Sequence, residues 1–531
     1  MEHVLIHGVT IIDGTGKSRF QGDISFDGDT ITEVAPHIDP IGKTVINADG
    51  LVASPGFIDA HTHTDRKIFD NPLGDSKVMQ GVTTDVTCHC GIGPFPAKQD
   101  RLKELTTYLN TLSGSLPSDG ITWSDFAGFA AAVEKQQPGI NLAMLVSHGA
   151  LRIASVGLAD RPATREELLM MQEMLDTSLQ QGAWGMSTGL VYPPGSFADT
   201  KELITLAKVL AKHKAVYTSH IRGESATLGK SIEEAITIGR ESGVKVLVSH
   251  LKAIGKPFWG QGLAALHRIE HAREEGVDIW ADQYPYEATA TSLLALAPGW
   301  AQDGGVNALL ERLASPSLRP QLLEAIGKEL HVRGGADRVK IAGLKSAANQ
   351  QWVGKTMQDY ATGRQLPVEE AVCQLLTEEN ATVSAVYFSL GEQDLEGIIK
   401  SPNVAVGSDG QAMNPQRDQK ESVHPRSYGT FPRVLGRFVR EKGMLTLETA
   451  ISKMTSLPAS IYRIPNRGLI KPGYKADLTL FDPETVIDRA EFGTPHQYPV
   501  GIPYVVINGT LAVSQSCLTG NGRGSILRKQ R

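Results

Sequence analysis

Two histidines one residue apart, His61 and His63 in "GFIDAHTHTD", close an apolar run. A strand turns successive side chains to opposite faces, so both imidazoles project to the same side, with Asp59 and Phe57 behind them. Further metal-ligating types stand at the ends of later apolar runs: Cys88 and Cys90 after "GVTTDVT", His220 in "AVYTSHI", His250 in "VKVLVSHL" and Asp409 in "NVAVGSDG". Imidazole, thiolate and carboxylate are the donors zinc takes, and a catalytic zinc keeps one position open for water or substrate. A lone strand-end histidine is ordinarily a satisfied polar side chain. A His-x-His, two further strand-end histidines and a strand-end aspartate in this order favour one metal centre. The cysteines add less, since a free cysteine commonly packs as a small buried side chain. If their strand continues, Cys88 and Cys90 share a face, one a ligand and the other a neighbour, and His89 points away.

The elements that must position these residues follow from the pattern around them. Apolar strands alternate with helical stretches, which argues for a parallel sheet. The candidate strands are "LVASPGFIDAHTH", "GVTTDVTC", "INLAMLVSHG", "GAWGMSTGL", "AVYTSHI", "VKVLVSHL", "VDIWADQYP" and "NVAVGSDG". Eight is the number that closes a (β/α)₈ barrel, whose catalytic residues sit at the C-terminal strand ends. The expected class is α/β, a TIM-like barrel over residues 57–464. Residues 1–56 and 465–531 share another texture, short strands with glycine turns, and are expected to form a small β-sandwich built from both termini. The stretch of about 286–403 exceeds an ordinary connection and contains "VNALLERLA" and "LRPQLLEAIGKELHV", so an inserted helical lid is expected.

The 531 residues carry a formal net charge of -6 with 21% charged residues. That balance offers no basic field for nucleic acid. No signal-peptide pattern opens the sequence and no run approaches the roughly 18 apolar residues of a spanning helix, so a cytoplasmic protein is expected, with no membrane partner. Its four cysteines are too few for a disulfide framework. The basic end "GRGSILRKQR" reads as a frayed terminus. "HRIEH", His267 to His271, satisfies an H-x-x-E-H zinc-protease pattern. It lies in an amphipathic stretch between the sixth and seventh strands, however, which places it on the outer helical ring. "GTGKS" at Gly14 to Ser18 lacks the upstream glycine of a phosphate loop and reads as a turn.

With these residues assembled, the chain resembles the amidohydrolase superfamily and, within it, the N-acyl-D-amino-acid deacylases, or D-aminoacylases. The resemblance rests on "GFIDAHTHTD", "GVTTDVTCHCG", "GMSTGLVYPPG", "YTSHIRGE", "VSHLKA", "DQYPYEAT", "VGSDG", "HPRSYGTFPRVLGRFVRE" and "GLIKPGYKADLTLFDP". It implies Cys90, His220 and His250 as ligands of one tightly bound Zn2+, and His61, His63 and Asp409, with Cys90 bridging, as a second, weaker position. Many superfamily members bridge two metals with a fourth-strand lysine; "GAWGMSTGL" has none, and Cys90 fills that place as in the deacylase subfamily. His89 stands where the family usually has asparagine.

The chemistry expected from these parts is amide hydrolysis of a small-molecule substrate. Zinc polarises the carbonyl and lowers the pKa of bound water toward about 7. Asp409 accepts the water's proton and passes it to the departing amine. Lys252, on the strand parity of His250, is placed to hold the substrate carboxylate. The resemblance adds Tyr192; Arg426 approaches from its loop, and Arg222 and Glu224 stand behind the ligands. "SLLALAPGWA" offers no cation for an acidic side chain, so neutral or hydrophobic N-acyl-D-amino acids are the expected substrates. The competing readings are a cyclic-amide hydrolase of the dihydroorotase or hydantoinase type and a noncatalytic metal or small-ligand binding barrel.

Overall fold

The computed structural model describes residues 3–111, 116–117 and 119–530. The chain opens with five strands, β1 (His3–Ile11), β2 (Phe20–Asp27), β3 (Thr30–Ala35), β4 (Thr44–Asn47) and β5 (Val52–Pro55). β2 and β3 form a hairpin through Gly28, at φ 54°, a left-handed turn position that glycine takes without steric cost. Then come β6 (Phe57–Asp59), β7 (Val82–Thr87), β8 (Asn141–Met144), β9 (Val146–Ser147), β10 (Gly185–Gly189), β11 (Val216–His220), β12 (Lys245–Val248) and β13 (Ile279–Gln283). β14 (Thr289–Ser292), β15 (Val339–Gly343) and β16 (Ser384–Tyr387) precede β17 (Val404–Val406). The chain ends through β18 (Leu478–Phe481), β19 (Tyr504–Ile507), β20 (Thr510–Ser514), β21 (Cys517–Leu518) and β22 (Ile526–Leu527).

Both ends of the chain share one mixed sheet, in the order β21-β20-β19-β18-β5-β1-β2-β3 with β4 on β1. Alternating apolar residues such as Ile6, Ile24, Phe26, Leu478 and Val506 meet in its buried cluster. The expected strand "LVASPGFIDAHTH" is divided. Val52–Pro55 pairs with β1 and β18, whereas Phe57–Asp59 pairs with β7. Gly56 makes the break, because a Cβ there would lie 2.3 Å from the Thr83 side chain, closer than atoms approach without displacement.

The middle strands are parallel and form two sheets, β17-β13-β12-β11-β10-β9 and β8-β7-β6, the second extended by β22 on β8. β7, β10 and β11 are buried at every residue, as strands covered on both faces must be. β17 meets the segment after β6: the Asp409 N–H donates to His61 O at 2.8 Å and the His63 N–H to Gly410 O at 2.8 Å. Amphipathic helices cover this layer. Helix Thr200–Lys212, capped by Asp199 accepting from the Glu202 N–H, buries Leu203, Leu206, Ala207 and Leu210. Helix Gln261–Glu274 carries His267 and His271 on its exposed side.

Two expectations change. The terminal "SILRK" is tied down rather than frayed: Ile526 and Leu527 pair with Leu142 and Ala143, and Trp184 Nε1 donates to Leu527 O at 2.7 Å. Its pairing edge belongs to β8 and cannot be read from the tail's basic composition. The inserted region is not helical alone. It holds an antiparallel sheet, β14-β16-β15, beside four helices of eight residues or more, around a core including Leu309, Ile326, Tyr360 and Leu375. Helix Glu392–Lys400, within the expected lid, instead joins the outer layer, where Asp394 accepts from the Gly260 and Leu263 N–H groups.

Candidate active site

The C-terminal ends of the parallel strands converge on a buried group of donors. His61, Cys90, His250 and Asp409 each offer an atom within 4.8 Å of the others. His61 Nε2 is 3.3 Å from Cys90 Sγ, which lies 3.5 Å from His250 Nε2. Asp409 Oδ1 is 3.1 Å from His63 Nε2 and 3.5 Å from His61 Nε2. A second group shares His250: its Nδ1 faces Glu224 Oε1 at 3.3 Å, and Glu224 Oε2 is 3.4 Å from His220 Nε2. His220 and Cys90 thus stand in adjoining groups, and Glu224 enters among the donors instead of lying behind them.

Local backbone sets this arrangement. Cys90 at φ 55°, His250 at φ 37° and Asp409 at φ 50° all adopt the left-handed region, a conformation non-glycine residues hold only when the surroundings over-determine it. β7 ends at Thr87, so the strand alternation assumed for the two cysteines stops before them. Cys88 belongs to neither donor group; its amide donates to Asp65 Oδ1 and its sulfur faces Gly93. His89 does not point away. Its ring stacks on His61 at 3.9 Å, with the Tyr462 hydroxyl 3.1 Å from its Nε2.

Behind the donors lies a buried frame. Lys77 Nζ donates to Asp59 Oδ2 at 2.7 Å and to Ser408 Oγ at 2.5 Å, while Asp59 Oδ1 accepts the amides of His61 and Ser408. This ties the ends of β6 and β17 together and aligns His61 with Asp409. Asp282 Oδ1 lies 3.1 Å from His61 Nδ1 and accepts the His250 amide at 2.8 Å. With Nδ1 donating to the Asp282 carboxylate, the His61 Nε2 lone pair is directed at the cluster. Asp282 and Lys77 were not singled out from sequence, although a carboxylate inside the buried strand "VDIWADQ" is itself a signal.

Burial lowers His61 to about 3, and burial with the Lys252 charge lowers His250 to about 3. Both imidazoles are therefore neutral near pH 7, the form that donates to a metal. Burial pushes Asp409 up, but Arg426 and the His63 contact outweigh it and hold the carboxyl well below its ordinary value. Burial and the neighbouring Asp409 push the Cys90 thiol up. A bound cation reverses that balance, because it stabilises the thiolate directly.

His63, Cys90, His220, Glu224, His250 and Asp409 line a cavity of about 720 Å³, with the insertion supplying Thr291, Leu294, Ala295 and Ala297. Tyr192 reaches across to Thr291 at 2.9 Å. Arg426 Nη1 is 2.7 Å from Asp409 Oδ2, and its guanidinium lies over Tyr284. Lys252 Nζ donates to Glu224 Oε1 at 2.5 Å and lies 2.7 Å from His250 Nδ1. Arg222 is committed to Glu234 and the carbonyls of Ser196 and Ala198.

The model of the "Amidohydrolase family" matches residues 44–513, nearly the whole span from the terminal sheet through the donor clusters. The chain belongs to the amidohydrolase family. Among curated relatives, it is 33% identical to an N-acyl-D-glutamate deacylase of Alcaligenes xylosoxydans xylosoxydans over 99% of this chain and 96% of that one. It is 32% identical to a D-aminoacylase of the same organism over 99% and 97%. A crystal structure of N-acyl-D-glutamate deacylase from Bordetella bronchiseptica, complexed with zinc and a phosphonate inhibitor that mimics the tetrahedral intermediate, superposes with a TM-score of 0.82 at 32% identity, covering 99% of this chain and all of that one. The chain therefore has the amidohydrolase fold, α/β with mixed sheets.

Proposed function

We propose that this amidohydrolase cleaves the amide bond of N-acyl-D-amino acids, releasing a carboxylate and a free D-amino acid, at a zinc centre. The observation that carries the reading is Asp409, ionised and in a left-handed backbone, at the edge of a cavity and against neutral histidines and a cysteine. The donor set fits zinc: neutral His61 and His250, carboxylate Asp409, a thiol convertible to thiolate, and the buried Nδ1 atoms of His63 and His220, which have no hydrogen-bond partner among the described residues. Cys90, His220 and His250 would hold the tighter ion; His61, His63 and Asp409, with Cys90 shared, would hold a weaker one. The relatives support this, since one is a deacylase whose structure contains zinc.

Bound zinc supplies Lewis-acid polarisation of the amide carbonyl and a water of lowered pKa. Asp409 would take a proton from the attacking water and return it to the leaving amine, general base becoming general acid. Asp282 keeps His61 in one tautomer, and the Lys77–Asp59–Ser408 frame holds Asp409 at its bearing. Lys252, Tyr192 and Arg426 receive the amino-acid end. For Lys252 and Arg426 this requires sharing their present carboxylates. Leu294, Ala295, Ala297 and Pro298 along the cavity support neutral or hydrophobic side chains. The nearby Arg333 is engaged by Glu329 at 3.7 Å and by the face of Tyr387.

We further read the parallel strands as a closed (β/α)₈ barrel within residues 57–464, and residues 1–56 and 465–531 as one small β-sandwich domain. The four free cysteines accord with a cytoplasmic setting. Turnover of a panel of N-acetyl-D-, N-acetyl-L- and cyclic amide substrates, with and without chelator, tests the function. Chelator-sensitive release of D-amino acids is expected. Preference for cyclic amides would move the chain to the hydantoinase type, and metal binding without turnover would make it a binding barrel. Equal or better turnover of N-acetyl-D-glutamate would overturn the side-chain preference.

A further inference from the structure

Six cations line the cavity: Arg66, Arg222, Lys252, Lys328, Arg333 and Arg426. Five already face a carboxylate: Arg222 with Glu234, Lys252 with Glu224, Lys328 with Glu324, Arg333 with Glu329 and Arg426 with Asp409. Arg66 has no ion-pair partner among the described residues, although it is 9% exposed and its Nε is buried without a hydrogen bond. Its neighbour Asp65 turns inward, accepting from Thr87 Oγ1 and the Cys88 amide. Glu104, also on the cavity wall, is engaged by Arg101 at 2.7 Å. Asp65 and Asp409 act on Arg66 from beyond ion-pair distance, but its guanidinium makes no direct pair among the described residues, and for a buried guanidinium the usual remedy is an anion from outside the chain.

The position of Arg66 says which end of a substrate would supply that anion. It follows β6, next to β7 and beside the junction with β17, whereas Lys252 follows β12, between β11 and β13. Ile92 and Tyr108, from the region after β7, line the same cavity. In the deacylase reading the amino-acid end goes to Lys252, Tyr192 and Arg426 under the insertion; Arg66 faces the same centre from the β6 side, near Tyr192 and Asp409, and the acyl group is taken to lie on that side. A cavity of about 720 Å³ has room for an acyl chain longer than acetyl.

We propose that Arg66 reads a carboxylate at the far end of the acyl chain, so that the preferred substrates are N-dicarboxyl-D-amino acids of the N-succinyl class. This rests on the deacylase reading. Water adds to the succinyl carbonyl, the C–N bond breaks and the amine takes the proton, giving succinate and the free D-amino acid.

The test compares N-succinyl-, N-butyryl- and N-acetyl-D-leucine, detecting released D-leucine with the metal-loaded full chain. Butyryl has the same four carbons as succinyl without the charge. A charge-assisted contact predicts a succinyl-to-butyryl ratio of kcat/KM of about 10 to 100. In Arg66→Met the ratio falls to about 1, mainly through KM, and Arg66→Lys restores part of it. Butyryl turnover at or above succinyl in the wild type overturns the inference while leaving the deacylase intact; no turnover of any of the three removes the deacylase reading as well. An equal loss on all substrates in Arg66→Met, with the ratio kept, would make Arg66 a counter-charge for the centre and also overturn it.

Discussion

Replacing Asp409 by asparagine keeps the shape of the side chain and deletes its charge. Three contacts depend on that charge: His63 Nε2 at 3.1 Å, His61 Nε2 at 3.5 Å and the Arg426 guanidinium at 2.7 Å. A positioned general base contributes about 10²- to 10⁴-fold, which at about 1.4 kcal/mol per decade corresponds to about 3 to 6 kcal/mol of barrier. Removing one partner of a buried ion pair destabilises by about 3 to 5 kcal/mol when the other is left uncompensated. The amide oxygen can still accept from Arg426, so the stability loss should fall below that range. The assay is kcat/KM on an N-acetyl-D-amino acid, with metal content and thermal unfolding measured on the same preparation. The expected outcome is a folded protein that retains tight metal and loses at least two decades of kcat. Activity within tenfold of wild type at equal metal content would refute the assignment of Asp409 as the proton carrier.

Truncation after Gly524 tests the C-terminal strand. It removes buried Ile526, the Ser525 carbonyl that accepts the Leu142 amide, and the Leu527 carbonyl that accepts the Trp184 indole. Apolar transfer and the stranded donors together should cost about 3 to 6 kcal/mol, and an unchanged Tm would show that the tail is dispensable. Lys453 is buried, donates to the carbonyls of Ser401 and Val404, and is lowered by burial from 10.5 to about 7. Between pH 7 and 10.5 the unfolded chain holds a proton that the folded chain has shed, so this lysine makes stability rise with pH across that window. The Tm of wild type minus that of Lys453→Met should therefore increase from pH 7 to 10; parallel curves would contradict the burial argument.

The residues that gather in the two candidate groups stood out in the sequence because each has a chemically distinctive side chain at or just past the end of an apolar run. His61, His220, His250 and Asp409 needed only the rule that parallel strands deliver their C-terminal ends to one side, whereas Cys90 was singled out from Cys88 only by the family resemblance. Repeated glycine-turn strands at both ends led to the expectation of a small β-sandwich built from both termini; what the structure shows is that strands from the two ends pair in one mixed sheet. Tertiary structure alone decided how those donors group, because distances of a few ångströms depend on where each strand stops. β7 ends before Cys88, so its two cysteines part, and Glu224 comes forward to His220 from a loop whose path no periodicity encodes. Asp282, Lys77 and Arg66 escaped notice for a related reason. Sequence gives a residue's charge but not its counter-charge, and whether a buried ion is a brace or an unfilled contact depends on what distant segments bring beside it.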